Sequence, residues 1–470
     1  MRTLRVVQQL AAAGWDVTVV TSDPRTFRPG TPVDEALLGR VPENVRVVRA
    51  PVFRGVESPK GLVKRRMRKS GPGTGPAPAG ERPPATPEPD PGCVGDAEAR
   101  FRWPDRAFGA ARKKSALSRL IDVLDAALAI PDHEAGWVMP AIRQGLAASW
   151  GRRPDVLYSS APPWTGQIVA RALAVMLRCP WVADFRDPWS RAPWRGDRFR
   201  FAIRAAAMLE RLVVRRADRI LFVARGNCTD FAGHYGPRVA SKFRVIPNGC
   251  DPREFEALTD PPAVPHDTFV LLHAGSLYAG RSPVPLLRAI AAAVRQGVVD
   301  VTRFRLRFLG QVGLTSFDLM QSARELGLEE IIELVPRVPR EQSLQAMRSA
   351  SCLLLLQPGH TVSVPGKLYE YLASGRPILS VAEEGETADT VRRSGLGVSV
   401  TPENEAGLVE ALARVMGMAR GKAAMPPREL YDGMLGAAEA VRILDAMARG
   451  NRYEPGEAPV EAAARRAHTR

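Results

Sequence analysis

Short runs rich in Val, Ile and Leu recur along the chain, most of them closed by Gly, Pro, Ser or Asp. In the first half they fall at 16–22 (DVTVVTS), 45–52, 155–162 (DVLYSSAP), 181–187 (WVADFRD), 219–225 and 243–249. In the second half they fall at 269–275 (FVLLHAG), 305–311, 331–337, 351–358 (SCLLLLQP) and 377–384. Runs that stay apolar instead of alternating suit strands covered on both faces. Intervals of roughly 20–40 residues leave room for a crossover helix between parallel strands. The pattern predicts an α/β protein of two doubly wound, Rossmann-like domains.

Turn chemistry sets the expected boundaries. Pro247-Asn248-Gly249 follows a strand and divides an N-terminal domain (1–247) from a C-terminal domain (248–425). Residues 426–450 read as a C-terminal helix packing back on the N-terminal domain, and 451–470 as a disordered polar tail. An insertion at about 57–117 contains a Pro/Gly-rich stretch (70–95) with almost nothing to bury, so it is expected to be disordered. Residues 2–14 have helical periodicity, where a doubly wound domain ordinarily begins with a strand and a glycine-bearing loop. Either that first strand is missing or the true start lies upstream of Met1.

Composition narrows the class. The 470 residues are 45% hydrophobic and 25% charged, a balance that excludes a wholly disordered or collagen-like chain. No apolar run is long enough to span a bilayer, and no signal peptide is evident. Five scattered cysteines without a CxxC pair argue for a reducing compartment and against a disulfide framework or zinc site. The net charge of +16 is uneven: residues 1–250 hold 41 Lys and Arg against 23 Asp and Glu, and residues 251–470 hold 25 against 27. Either the first half faces something anionic, or the bias reflects an arginine-rich proteome.

Ten arginines lie between 186 and 219, interleaved with Trp189, Trp194 and Phe199. Phe201, Ala205, Met208, Leu209 and Leu212 share one helical face, with Arg204, Arg211 and Arg215 on another. The apolar face is expected to be buried on a sheet, and the basic rim to bias the domain toward an anionic membrane surface, together with KRRMRK at 64–69. Without a recognition motif beside the charge, no nucleic-acid partner is expected.

The segment 363–378 (SVPGKLYEYLASGRPI) carries the most chemistry. A loop after a buried strand opens a short helix whose first amides, with Lys367, suit a pyrophosphate. Glu370, one turn in, suits the two hydroxyls of a ribose. A solvated Lys-x-x-Glu helix pair explains the same residues equally well.

These residues resemble the donor-site motif of the retaining GT-B glycosyltransferases of family 4, in the group that makes bacterial surface polysaccharides. HAGSLYAGR (273–281), VIPNGCD (245–251), FLGQ (308–311), VPRVPREQSLQAMRSASCLLLLQP (335–358) and DVLYSSAPPWTG (155–166) with WVADFRDPW (181–189) resemble further motifs of that family, in its order. The resemblance implies a GT-B fold with an interdomain cleft. It implies transfer of a sugar from a nucleotide-diphospho-sugar to an acceptor; taken with the basic first half, this reads as a cytoplasmic enzyme peripheral to the inner face of the plasma membrane, with a lipid-linked saccharide as acceptor. No cofactor or metal is implied, and no DxD motif is present.

By position, the implied donor-site residues are Gly275, Ser276, Arg281, Arg337, Val338, Val364, Pro365, Gly366, Lys367 and Glu370. Arg281 and Lys367 would hold the diphosphate and act in catalysis, Glu370 would take the ribose, and Arg337 and Val338 would border the base. Cations and amides there would stabilise the leaving diphosphate. Two positions depart from the family: 362 is Val where a second glutamate is frequent, and 276 is Ser where Arg is frequent. In the N-terminal domain, Asp184, Arg186 and Asp187 end a strand as candidate acceptor-binding groups, with Asp187 as a candidate acid/base. An Arg186–Asp187 pair bracing the loop is the alternative. His133, His273 and His360 carry weaker signals. A sugar-nucleotide epimerase of the same fold and a non-catalytic scaffold are the rival functions.

Overall fold

The computed structural model describes residues 1–27, 35–53, 116–191, 199–259, 268–278, 281–313, 318–359, 361–421 and 424–450. The Pro/Gly-rich stretch 70–95, KRRMRK at 64–69, Trp194, His360 and the tail 451–470 lie outside the described residues, as does all but the end of the 57–117 insertion.

The chain opens with helix α1 (Arg2–Ala12), then strands β1 (Thr18–Ser22) and β2 (Arg46–Ala50), and helices α2 (Ala116–Leu128) and α3 (Val138–Ala148). Next come β3 (Leu157–Ala161), α4 (Thr165–Met176), β4 (Trp181–Phe185), α5 (Arg200–Arg216), β5 (Arg219–Phe222), α6 (Arg225–Tyr235) and β6 (Phe243–Val245). The second half runs β7 (Phe269–Ala274), α7 (Val284–Arg295), β8 (Phe304–Leu309), α8 (Leu319–Glu325), β9 (Ile332–Val335) and α9 (Arg340–Ser349). It ends with β10 (Cys352–Gln357), α10 (Gly366–Ser374), β11 (Ile378–Ala382), α11 (Glu386–Ser394), β12 (Gly397–Val400), α12 (Glu405–Arg420) and α13 (Gly433–Ala448). These elements fall into two compact units: Trp15–Asp184 with Pro188–Asp218, and Met1–Gly14 with Phe185–Asp187 and Arg219–Arg470.

In the first of these units β1 and β2 run parallel, from Thr18 opposite Arg46 to Ser22 opposite Ala50. Ala50, Ala141, Val169 and Leu173 form a small core cluster in it beside Val20 and Trp137. Asp132 caps α4 through both the amide (2.9 Å) and the hydroxyl (2.6 Å) of Thr165, which satisfies donors that the first turn of a helix leaves open.

The other unit is built on a six-stranded parallel sheet in the order β9-β8-β7-β10-β11-β12. Counted in this sheet's own chain order that is 3-2-1-4-5-6, the doubly wound arrangement, with its topological switch between β7 and β10. Successive residues of a strand point to opposite faces. Leu271, Leu354, Leu356 and Leu379 therefore join one core with α7 and α12, while Val270, Leu272, Leu353 and Leu355 join another with α10. Burial on both sides accounts for the unbroken apolar runs.

Helices α1 and α13 pack together in this unit. Cys250 donates its amide to Tyr431 O (2.8 Å), and Gly433 donates to Cys250 O (2.7 Å). Side-chain room is absent there: a Cβ on Gly249 would lie 2.3 Å from the Gly433 amide, and one on Gly433 would lie 2.6 Å from the Arg5 guanidinium carbon. Arg2 donates to Pro247 O at 3.0 Å.

Helix α5 differs from expectation. Its buried residues are Ala202, Ala206, Glu210, Val213 and Val214, so the stripe of Phe201, Met208 and Leu212 is left exposed. The helix has two apolar stripes, and the one made of small and β-branched residues takes the core because it allows close packing. Glu210, the helix's one acidic residue, is buried and accepts the Ser190 amide at 2.7 Å.

Candidate donor site

The switch point is opened by two side chains. β7 pairs with β8 along its six residues, but it pairs with β10 only at Cys352↔Leu271 and Leu353↔Leu272. Beyond them Leu354 O accepts both His273 Nδ1 (3.0 Å) and the Tyr371 hydroxyl (3.2 Å), and the Ala274 amide donates to Tyr371 Oη at 2.9 Å. A carbonyl only accepts, so His273 carries its proton on Nδ1 and presents Nε2 as a buried acceptor with no hydrogen-bond partner among the described residues. Burial first, and then the nearby cations of Arg281 and Lys367, pull the His273 imidazole down to about 4 against the bond to Leu354.

The ends of β7, β8 and β9 converge beside this opening. Gly275 donates to Leu309 O (2.9 Å) and Gly310 to Val335 O (2.9 Å). Gly310 has a φ of +140°, and a Cβ there would lie 2.6 Å from Gly275 O, so only glycine fits. Arg281 donates to Gln357 Oε1 (3.1 Å), and Gln357 is the buried last residue of β10. Arg337 is exposed and Val338 half-buried, both in the loop that leaves β9.

Helix α10 begins at Gly366 after Pro365, whose side chain makes no cap bond. Among the described residues no side chain caps its first amides, although the Leu368 amide donates to Pro365 O (3.0 Å), and a Cβ on Gly366 would meet nothing within 4 Å. Val364 faces the core, so that position offers only its backbone. The loop before α10 is braced by Thr387, whose hydroxyl donates to Ser363 O at 3.1 Å. Position 362 is taken up by packing: a Cβ on Gly226 would lie 3.2 Å from Val362 Cα, and the Gly226 amide donates to Glu386 at 3.1 Å.

Lys367 and Glu370 form the local pair, Nζ to Oε2 at 2.7 Å. Glu370 also receives Arg340 Nη1 on Oε1 (2.9 Å), and Arg340 in turn holds Glu254 through Nη2 (2.5 Å) and Nε (3.3 Å). Burial works against the Arg340 charge, but the two carboxylates outweigh it and raise its pKa. Arg340, Glu254, Gln357 and Tyr371 were not expected from sequence. Gln357 had a readable signal, as a polar residue ending an otherwise apolar strand.

The N-terminal candidates have different settings. Asp184 is wholly buried and accepts the hydroxyls of Tyr158 (2.8 Å) and Ser160 (3.0 Å) on Oδ2. Asp187 is half-buried; burial pushes its carboxyl above the usual range, with Arg186 pulling the other way. The loop carrying Trp189 is pinned by its stacking on Trp164, with centroids 4.8 Å apart.

Comparison with known proteins fits this geometry. Residues 84–249 match the family model for a glycosyl transferase 4-like domain, and residues 268–417 match that for glycosyl transferases group 1. Two curated relatives, the D-inositol 3-phosphate glycosyltransferases of Streptomyces scabiei (strain 87.22) and Nocardia farcinica (strain IFM 10152), are each 27% identical over 218 and 222 residues respectively. The matched stretch is 44% of this chain, and the chain spans about half (47%) of the length of those relatives. The sucrose-phosphate synthase of Thermosynechococcus elongatus shares the fold, with a TM-score of 0.50 at 14% identity over 99% of this chain and 92% of that one. With its parallel sheets and its switch point the chain has the GT-B fold, and its two halves match, in order, models of glycosyl transferase domains.

Proposed function

We propose that this chain transfers a sugar from a nucleotide-diphospho-sugar to a lipid-linked saccharide acceptor, with retention at the anomeric carbon, in the building of a cell-envelope polysaccharide. The observation that carries the donor half is the grouping of Arg281, Lys367, Glu370 and the uncapped start of α10 around the switch point of the sheet. Two cations and the amides of Gly366 and Lys367 suit a diphosphate, and they stabilise it further as it leaves. Gly275 and Ser276 give the backbone turn beside it, Val364, Pro365 and Gly366 lead into its amides, and Arg337 and Val338 border the base. No metal ion enters the proposal.

Asp187 is the proposed acid/base group, favoured by its raised pKa. Arg186 and Asp187 would meet the acceptor, with Asp184 bracing Tyr158 and Ser160 in support. For the acceptor's lipid, the exposed stripe of α5 (Phe201, Met208, Leu212) edged by Arg204, Arg211 and Arg215 suits the anionic inner face of a plasma membrane. No helix among the described residues is long and apolar enough to cross one.

The test is thermal unfolding of the full chain with UDP, GDP, ADP and CDP. A ligand at 100 times its Kd adds about 2.7 kcal/mol. A shift selective for one base and abolished by Glu370→Ala is expected; no shift with any nucleotide from a folded chain would sink the donor reading. Turnover of the nucleotide-sugar without an acceptor would point instead to an epimerase.

A further inference from the structure

Glu370 stands between two cations that differ in how they are held. Lys367 reaches it with one ammonium from three residues earlier on the same helix and is over a third exposed. Arg340 reaches it from the start of α9 and is itself fixed by two bonds to Glu254. The four groups form a neutral cluster of two cations and two carboxylates. A planar guanidinium bonded to carboxylates on two sides is locked in direction, whereas an ammonium on a flexible stem exchanges partners readily.

We propose that Arg340 is a positioning residue that aims Glu370 at the ribose of the donor and so sets preference for ribonucleotides over deoxyribonucleotides. This rests on the donor reading given above. When a diphosphate draws Lys367 away, Glu370 Oε2 is released to the ribose hydroxyls. Arg340 stays, because Glu254 holds it, and keeps the carboxylate from turning with the departing lysine. Arg340 follows directly on Arg337, Val338 and Pro339, so one loop would border the base and orient the sugar beside it.

Calorimetry on the full chain separates these roles. The probes are pyrophosphate, whichever of UDP, GDP, ADP or CDP binds, and the 2′-deoxy counterpart of that nucleotide. The wild type is expected to prefer the ribonucleotide. In Arg340→Gln that preference should fall roughly tenfold, with pyrophosphate affinity unchanged, and Arg340→Lys should recover part of it. The double variant Arg340→Gln/Glu254→Gln removes both charges, so no buried carboxylate is stranded, and it should lose the preference too. A preference that survives both variants overturns the inference and leaves the donor reading standing. Equal losses for pyrophosphate and nucleotide would assign Arg340 a structural role and overturn it as well. A wild type that binds neither would overturn the donor reading and this inference with it.

Discussion

Lys367 Nζ stands 2.7 Å from Glu370 Oε2, so the cation proposed for the diphosphate neutralises the carboxylate proposed for the ribose. An i,i+3 pair of this exposure contributes only about 0.3 kcal/mol. Lys367→Met should therefore leave the melting temperature almost unchanged without nucleotide, yet weaken nucleoside diphosphate binding at least tenfold. Calorimetry beside a thermal scan of the same sample checks both halves.

Tyr371→Phe removes the hydroxyl that takes the Ala274 amide and donates to Leu354 O. A buried amide without its acceptor costs about 1–3 kcal/mol. Denaturant unfolding should show that loss, and nucleotide affinity should fall with it because Tyr371 ties α10 to the end of β7.

His273 is neutral in the fold, with a pKa of about 4 against an ordinary 6.5. Between those values the unfolded chain takes up a proton that the folded chain refuses. Stability from this group is thus full above about 6.5 and is lost as the pH falls toward about 4. His273→Asn, which keeps a donor for Leu354 O, should flatten the stability–pH curve in that window.

Asp187 has the opposite sign. Its raised pKa means that the folded chain holds the proton more tightly than the unfolded one, so stability falls as the pH rises out of the ordinary carboxylate range. Asp187→Asn should stabilise the chain at neutral pH, with the gain vanishing in acid, while sugar transfer is lost. A variant that keeps full transferase activity would remove Asp187 from the chemistry.

Cosedimentation with vesicles tests α5. Wild type should bind vesicles rich in anionic lipid, less so at high salt, since exposed charges are screened. Arg204→Glu/Arg211→Glu and Phe201→Ser/Met208→Ser should each reduce binding, with nucleotide affinity intact. Undiminished binding by both double variants would remove this face from consideration.

The strands were legible because each is an apolar run cut by a turn residue: FVLLHAG at 269–275 became Phe269–Ala274, and SCLLLLQP at 351–358 became Cys352–Gln357. β12 escaped notice, since Gly397–Val400 is short and half polar. The face of α5 was misjudged because periodicity finds an apolar stripe but not which of two stripes faces the core. The Lys367–Glu370 pair could be read from spacing along one helix. Its tether to Arg340 and Glu254 could not, because those residues are 30 and 116 positions from Glu370 and are joined only where α10 and the turn at Arg253–Glu256 both pack on α9.

The backbone bonds between Cys250 and residues 431–433 give the last helix a mechanical meaning. The stretch that leads into the six-stranded sheet is splinted by residues 431–433, and Arg2 and Arg5 of the first helix press on the same splint. Trimming from either terminus would strip partners from one buried spot, so a shortened version would fail at the joint before it failed at the sheet.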